Sequence, residues 1–249
     1  MLAEERYNEI LKLVNDKKTV TVQELTEQLD TSESTIRRDL TALHRKGSLI
    51  KVHGGATAVN LEVMTKDASL SVRRDLNIEE KVAIAKHAAA LIEKDDFVYM
   101  DAGSSVDLLI DYITELDAVF VTNAIGHAQK LLKKGCRVYL LGGELKEATE
   151  AIVGAEAIES LKKYNFTKGF FGTNGVSRDK GYTTPDITEA LVKEKAVSQC
   201  RKSYILSDSS KINQVSSVTF AEFAGCTVVT TRLNDDSYRS CRNVVEVEG

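Results

Sequence analysis

Proline is almost missing from this chain: Pro185 stands alone in 249 residues. A proline-rich, extended linker is thereby excluded. Cysteine is sparse too. Cys136, Cys200, Cys226 and Cys241 are scattered and make no C-x-x-C pair. That spacing argues against a metal site and a disulfide framework, and suits reduced thiols in a cytoplasm. No stretch approaches the roughly 20 apolar residues of a membrane span, and no signal peptide is recognised, so a cytoplasmic location is expected. Excess positive charge is also lacking. The 33 Lys and Arg against 37 Asp and Glu leave a formal net charge of −4. A nonspecific polyanion binder would be basic overall.

What is present is concentrated in residues 31–47, TSESTIRRDLTALHRKG. Read as a helix, Ile36, Leu40 and Leu43 form a core stripe. Ser34, Arg38, Thr41 and Arg45 share the opposite face, which carries no carboxylate, while Asp39 sits back toward the core edge. Ser32 suits the N-cap, and Gly47 suits the left-handed residue that ends a helix. Such a face fits a DNA major groove, where Arg reads guanine edges and Ser or Thr reaches bases and phosphates. A solvated surface face is the plainer reading of one such helix taken alone.

The flanks favour DNA. Tyr7, Ile10, Leu11 and Val14 mark an amphipathic helix over 3–16, and Thr19-Val20-Thr21 a short strand. Thr21 and Glu24 have capping-box spacing and open a second helix with Val22, Leu25 and Leu29 inward. Residues 49–52 read as a strand, His53-Gly54-Gly55 as a turn, and 56–59 as a return strand. The pattern is a winged helix-turn-helix. Lys51 and His53 alternate onto one side of the wing; contact with backbone or minor groove and no contact at all remain equal alternatives for His53. Arg37, Arg38, Arg45, Lys46 and Lys51 outweigh Asp39 between Ser34 and His53. A small cationic patch on an acidic chain suits a site-specific binder that gains affinity by dimerising.

Residues 60–77 lose sustained periodicity and read as an interdomain connection. The expected domains are therefore 1–58, a linker over 59–77, and a second domain over 78–249. After an alanine-rich helix over 78–94, short apolar strands are expected at 97–100, 119–122, 138–141, 169–172, 204–207, 228–231 and 244–247. Helical segments at 104–116, 124–134, 154–163 and 186–200 separate most of them. This alternation predicts a mainly parallel, doubly wound α/β sheet. Ligands bind such sheets beyond the carboxyl ends of the strands.

Those ends carry polar, glycine-rich loops: Asp101-Ala102-Gly103-Ser104-Ser105, Thr122-Asn123, Leu141-Gly142-Gly143-Glu144, Gly172-Thr173-Asn174-Gly175 and Ser207-Asp208-Ser209-Ser210-Lys211. Glycine lets backbone approach a phosphate, and serine hydroxyls with helix-terminal amides hold it. Each loop alone is also an ordinary turn, but their gathering at one edge favours a polar pocket. Residues 181–185 read as a loop containing Thr183 and Thr184, leading into a helix with Glu189 and Lys193 one turn apart. Glu189 is expected either in a surface ion pair with Lys193 or in the pocket, accepting from sugar hydroxyls. Lys211 suits a phosphate counter-charge, or is a solvated loop lysine.

Residues 5–57, through Ser34-Thr35-Ile36-Arg37-Arg38-Asp39-Leu40 and the His53-Gly54-Gly55-Ala56 wing, resemble the DNA-binding domain of the DeoR family of bacterial transcriptional regulators. The strand-end loops, with Thr183-Thr184-Pro185 and Glu189, resemble that family's effector domain, which is related to ribose-5-phosphate isomerase and glucosamine-6-phosphate deaminase. The resemblance implies a sugar-phosphate sensor. Ser34, Thr35, Arg37, Arg38, Thr41, Arg45, Lys51 and His53 would face DNA. Gly103, Ser104, Ser105 and Lys211 would hold phosphate, and Asp101, Asn123, Gly143, Glu144, Asn174, Thr183, Thr184 and Glu189 would surround the sugar. Within the family, Met1-Leu2 and Ser32 to Arg38 look most like fructose-operon repressors, which implies fructose 1-phosphate.

The expected function is a repressor, with no cofactor and no metal, whose partners are operator DNA, a phosphorylated sugar and further copies of itself in a dimer or tetramer. An alternative is a sugar-phosphate isomerase with an appended N-terminal domain, using Glu189 or Asp101 as base. A protein-binding adaptor explains the carboxylate-free arginine face less well.

Overall fold

Capping chemistry shapes the N-terminal part first. In a computed structural model that describes residues 3–17, 19–45, 48–57, 73, 76–231, 233 and 236–248, Glu24 donates its amide to Thr21 Oγ1 at 3.1 Å. Thr21 returns its own amide to Glu24 Oε2 at 2.8 Å, closing the capping box. Helix α1 (Ala3–Lys17) leads to β1 (Thr19–Thr21), α2 (Val22–Gln28), α3 (Glu33–Arg45), β2 (Ile50–Val52) and β3 (Gly55–Thr57). The α1 and α3 stripes meet over one core of Ile10, Val14, Leu25, Ile36, Leu40, Leu43 and Leu49. Tyr7 and Leu11 are only partly buried against it. Asp39 lies deeper than the core edge, 1% exposed, and pairs with Arg6 of α1 at 2.5 Å.

The strands form a small antiparallel sheet in the order β1-β3-β2. The turn falls on His53 and Gly54, and Gly54 takes φ +81°, where glycine is favoured. Gly55 already belongs to the strand. A Cβ there would lie 2.1 Å from the Val20 carbonyl oxygen, so only glycine lets β3 approach β1. Val22 donates its amide to the Gly54 carbonyl at 2.8 Å, tying the wing turn to the start of α2. Gly47 and, of the linker expected over 59–77, residues 59–72, 74 and 75 lie outside the described residues.

Contacts divide the chain into two units, Met1–Leu61 with Asn234–Cys241, and Glu62–Leu233 with Arg242–Gly249. The second is built on α4 (Ile78–Ala90), β4 (Phe97–Met100), α5 (Ser104–Asp111), β5 (Val119–Thr122), α6 (Ile125–Lys133), β6 (Arg137–Leu140), β7 (Glu144–Lys146), β8 (Ala151–Val153) and α7 (Ala155–Leu161). It continues through β9 (Phe166–Gly172), β10 (Gly175–Ser177), β11 (Gly181–Thr184), α8 (Ile187–Ser198), β12 (Cys200–Leu206), β13 (Val218–Ala221) and β14 (Thr227–Thr231). The short α9 (Asp236–Arg239) precedes β15 (Val244–Val247).

Seven strands form one sheet in the order β15-β14-β12-β9-β4-β5-β6. Every pairing in it is parallel. Both faces are therefore covered, which is why the strands read as nearly continuous apolar runs. Val98, Met100, Phe120, Phe170 and Leu206 pack with α4, α5 and α6 in one cluster. The alternate residues Tyr99, Val121, Phe171 and Ile205 are fully buried on the other face. The sheet grows outward from its middle: β5 and β6 on one side of β4, and β9, β12, β14 and β15 on the other. The strand order reverses between β4 and β9, and their carboxyl ends define the switch point where ligands bind such sheets.

Two additions depart from the plain alternation. β7 and β8 form a hairpin, and β10-β11-β13 a second antiparallel sheet. Residues 181–184 were expected in a loop, but they form β11, the central strand of that sheet, buried at every position. The β-branched Thr183 and Thr184 suit that place. Gly181 starts the strand at φ +71°, and a Cβ on it would meet the Ala221 carbonyl oxygen at 2.1 Å.

Candidate functional sites

The helix α3 separates its side chains as its sequence periodicity requires. Ile36, Leu40 and Leu43 are buried, whereas Ser34, Arg37 and Arg38 are exposed and Thr35 and Thr41 half-buried. Ser32 caps the start: the Thr35 amide donates to its Oγ at 3.4 Å. Arg37 is engaged by Glu33, one turn back, at 3.1 Å. Arg38 has no carboxylate partner among the described residues. Lys51 of the wing donates to Thr41 Oγ1 at 2.7 Å, which joins wing and helix into one polar surface. His53 is exposed on the wing turn. Arg45 ends α3, and its side chain lies outside the described residues. This arrangement presents Ser34, Arg38, Thr41 and Lys51 together and can meet a duplex with one helix and one ribbon.

In the second unit, the switch point holds a buried ion pair. Lys193 of α8 places Nζ against Asp101 Oδ2 at the end of β4. The Gly172 amide, at the end of β9, donates to the same oxygen at 3.0 Å. Burial pushes the Asp101 carboxyl above its ordinary range, and the Lys193 ammonium opposes that rise. Of the two places open to Glu189, the surface pair with Lys193 does not form. Glu189 instead accepts from Lys146 at 2.8 Å and Thr149 at 2.6 Å, because α8 turns this face inward against the β7–β8 hairpin.

Asn123 acts as a loop tie. Its Oδ1 accepts the Ala102 amide at 2.9 Å, and its Nδ2 donates to the Ile152 carbonyl at 3.2 Å. Gly143 takes φ +146°, and a Cβ there would stand 2.5 Å from the Val153 carbonyl oxygen. Glu144 is exposed on β7. Thr183 is fully buried, its Oγ1 accepting the Ser216 amide at 2.8 Å, and Thr184 donates to Asn174 Oδ1 at 3.3 Å.

Beside the switch point lies a cavity of about 360 Å³, within the usual range for ligand sites. Ser104, Asn174 and Lys211 line it, as the sequence suggested. So do Arg73, Asn77, Lys81, Asp208, Ser210 and Gln214. Its charge is three cations against one carboxylate. Gly103 caps α5 at φ +146° with open space where a Cβ would stand, so the conformation and not crowding calls for glycine. The first amides of α5 have no intrahelical partners and are oriented to receive an anion. Lys211 Nζ lies 3.4 Å from Asp208 Oδ2. Burial pushes the Lys211 ammonium below its ordinary range, Asp208 opposes the shift, and Arg73 and Lys193 add to it. An anionic ligand would relieve this crowding of like charge.

Asp101, Gly103, Ser105, Asn123, Gly143, Glu144, Thr183, Thr184 and Glu189 do not line the cavity, and Ser105 is buried. Lys81 gave no sequence signal, since it follows Glu79 and Glu80 in what reads as a solvated first turn. Glu80 itself accepts from the Ser209 amide at 2.8 Å and holds the Lys211 loop. A larger, open hollow of about 570 Å³ lies at the amino ends of β12 and β14, away from every strand-end loop. Among the described residues no group of His, Cys, Asp and Glu could hold a metal ion, and no helix is long and apolar enough to cross a membrane.

Comparison with known proteins connects both halves. Residues 6–62 match the DeoR-like helix-turn-helix domain, and residues 76–232 the DeoR C-terminal sensor domain. The uncharacterized HTH-type transcriptional regulator FruR of Bacillus subtilis is 39% identical over 99% of this chain and 99% of its own length. The lactose phosphotransferase system repressor of Staphylococcus epidermidis is 39% identical, covering 93% of this chain and 92% of that protein. Among solved structures, ribose 5-phosphate isomerase A of Methanocaldococcus jannaschii covers 55% of each chain at 14% identity, with a TM-score of 0.40.

Proposed function

Because the chain belongs to the DeoR family of helix-turn-helix regulators, we propose that it represses a sugar-utilisation operon and answers to a sugar phosphate, with fructose 1-phosphate the first choice. It is a DNA-binding transcriptional repressor of the sugar-operon type, with a sensor domain for a small molecule. It is not an enzyme; relatives spanning nearly the whole chain are regulators and repressors, which removes the isomerase alternative.

One observation carries the choice of a phosphorylated ligand. Arg73, Lys81 and Lys211 line a cavity in which Asp208 is the one lining carboxylate, together with Ser104 at the N-terminus of α5. Charge-assisted bonds to phosphate oxygens are the strong ones such a set can make. Asn174 and Gln214 offer hydrogen bonds to sugar hydroxyls. On the DNA side, Ser34, Thr35, Arg37, Arg38, Thr41, Arg45, Lys51 and His53 form the reading face, with Arg38 on base edges. Two copies on a two-fold operator supply the affinity that one small patch lacks.

The test is fluorescence anisotropy of a labelled operator bound by the full chain, titrated with fructose 1-phosphate, fructose 6-phosphate and fructose. A phosphorylated sugar should shift operator affinity where free fructose does not. Equal responses to fructose and its phosphates would reject the phosphate site.

A further inference from the structure

The chain between the two domains ends at the wall of this cavity. Arg73 and Asn77 both line it, although neither belongs to a strand-end loop. Lys81, 3% exposed, donates from Nζ to the Arg73 carbonyl, which fixes the backbone there. Asn77 takes a left-handed φ of 52° just before α4. Its Nδ2 donates to Asp208 Oδ1 at 2.9 Å and to Ser210 Oγ at 3.2 Å. The other Asp208 oxygen faces Lys211 Nζ at 3.4 Å. One carboxylate thus serves two masters: the connecting segment through Asn77, and the phosphate-binding cation through Lys211.

We propose that Arg73 and Lys211 hold the effector's phosphate jointly, and that the Asn77–Asp208 contact transmits ligand occupancy to the segment leading from the helix-turn-helix. The inference rests on the reading of this cavity as the effector site. Arg73 brings a planar guanidinium that matches two phosphate oxygens at once. A phosphate that draws the Lys211 ammonium toward itself weakens that cation's hold on Asp208. The carboxylate then redistributes between Asn77 and Ser210, and Asn77 has a ligand-bound and a ligand-free arrangement. An effector changes operator affinity only by its different affinities for two such states.

Calorimetry of the full chain with fructose 1-phosphate, and operator anisotropy with and without it, tests both parts. Arg73→Gln removes one charge-assisted contact and should weaken ligand binding about ten- to a hundredfold. Arg73→Lys keeps the charge and should fall between wild type and Arg73→Gln. Asn77→Gly keeps the left-handed backbone and removes the amide. At saturating sugar phosphate it should lose most of the ligand-induced shift in operator affinity. Thermal melts of each variant separate these effects from unfolding. Wild-type ligand affinity in Arg73→Gln, or a full operator shift in Asn77→Gly, overturns the proposal while leaving the sugar-phosphate reading intact. A wild-type chain that binds neither fructose 1-phosphate nor fructose 6-phosphate rejects that reading and this proposal together.

Discussion

Lys193 and Asp101 join the middle of α8 to the end of β4 as a buried ion pair, with side chains 7% and 1% exposed. One turn earlier on the same helix, Glu189 grips Lys146 of the β7–β8 hairpin. A single helix therefore fixes both the switch point and the loop after β6, through charges of opposite sign.

Replacing Asp101 with Asn should destabilise the sensor domain by about 3–5 kcal/mol, because Lys193 is left as a buried charge without its counter-ion. For a unit of this size the melting temperature should fall by about 6–20 °C. The double variant Asp101→Asn with Lys193→Met should recover much of the loss, since the two positions share one interaction. Calorimetric melts of wild type and the two variants check this. A single variant that melts like wild type would show that the pair is not needed for the fold.

Arg38→Ala should weaken specific operator binding and leave melting unchanged. Arg38 is exposed, opposite the buried Ile36, Leu40 and Leu43. One good base contact is worth about 1–3 kcal/mol, and a dimer loses two. A gel-shift titration with wild-type affinity would remove this face from the DNA.

Lys211→Ala should keep operator affinity but raise the sugar-phosphate concentration needed to change it, at least tenfold. In the proposed site the ammonium meets the ligand's phosphate. Operator anisotropy titrated with fructose 1-phosphate provides the measurement. An unchanged response places the phosphate elsewhere.

Asp186 should make the sensor domain acid-sensitive in a defined window. Burial alone would raise its carboxyl, but bonds from the Thr188 hydroxyl, the Glu189 amide and the Lys146 ammonium hold it down to about 2. An unfolded aspartate titrates near roughly 3.9. A depressed native value contributes stability that is full above about pH 4 and disappears as pH falls toward 2. Asp186→Asn lacks that contribution. Denaturant midpoints of wild type and variant should differ most near neutral pH and converge between about pH 4 and 2. A constant difference down to pH 2 would assign the stabilisation to capping alone.

The N-terminal unit was legible because its helices announce themselves by stripes and caps: Ile36, Leu40 and Leu43 in α3, and Thr21 with Glu24 before α2. Arg6 was not, since a charged residue on an amphipathic helix reads as solvated until Asp39 is brought against it by the fold. The seven parallel strands stood out as apolar runs, but their order depends on crossovers that leave no local trace. β7, β10 and β11 were hidden by their three or four residues and polar content. In the cavity, Ser104 and Lys211 were visible as loop residues at strand ends. Arg73 and Lys81 were not, because their roles arise from a chain path and not from a motif. Spacing alone left Glu189 open between a surface bridge to Lys193 and the pocket: an i,i+4 pair forms a surface bridge only when no stronger tertiary partner exists, and Asp101 and Lys146 are such partners.

The hairpin after β6 and the small sheet after β9 both emerge from the carboxyl edge, outside the seven-stranded core. The cavity takes only Asn174 from them; its other walls come from the chain before and into α4, the start of α5 and the segment after β12. Exchanging residues 141–154 and 173–186 with those of a relative should therefore leave most of the cavity wall in place and spare every strand of the main sheet.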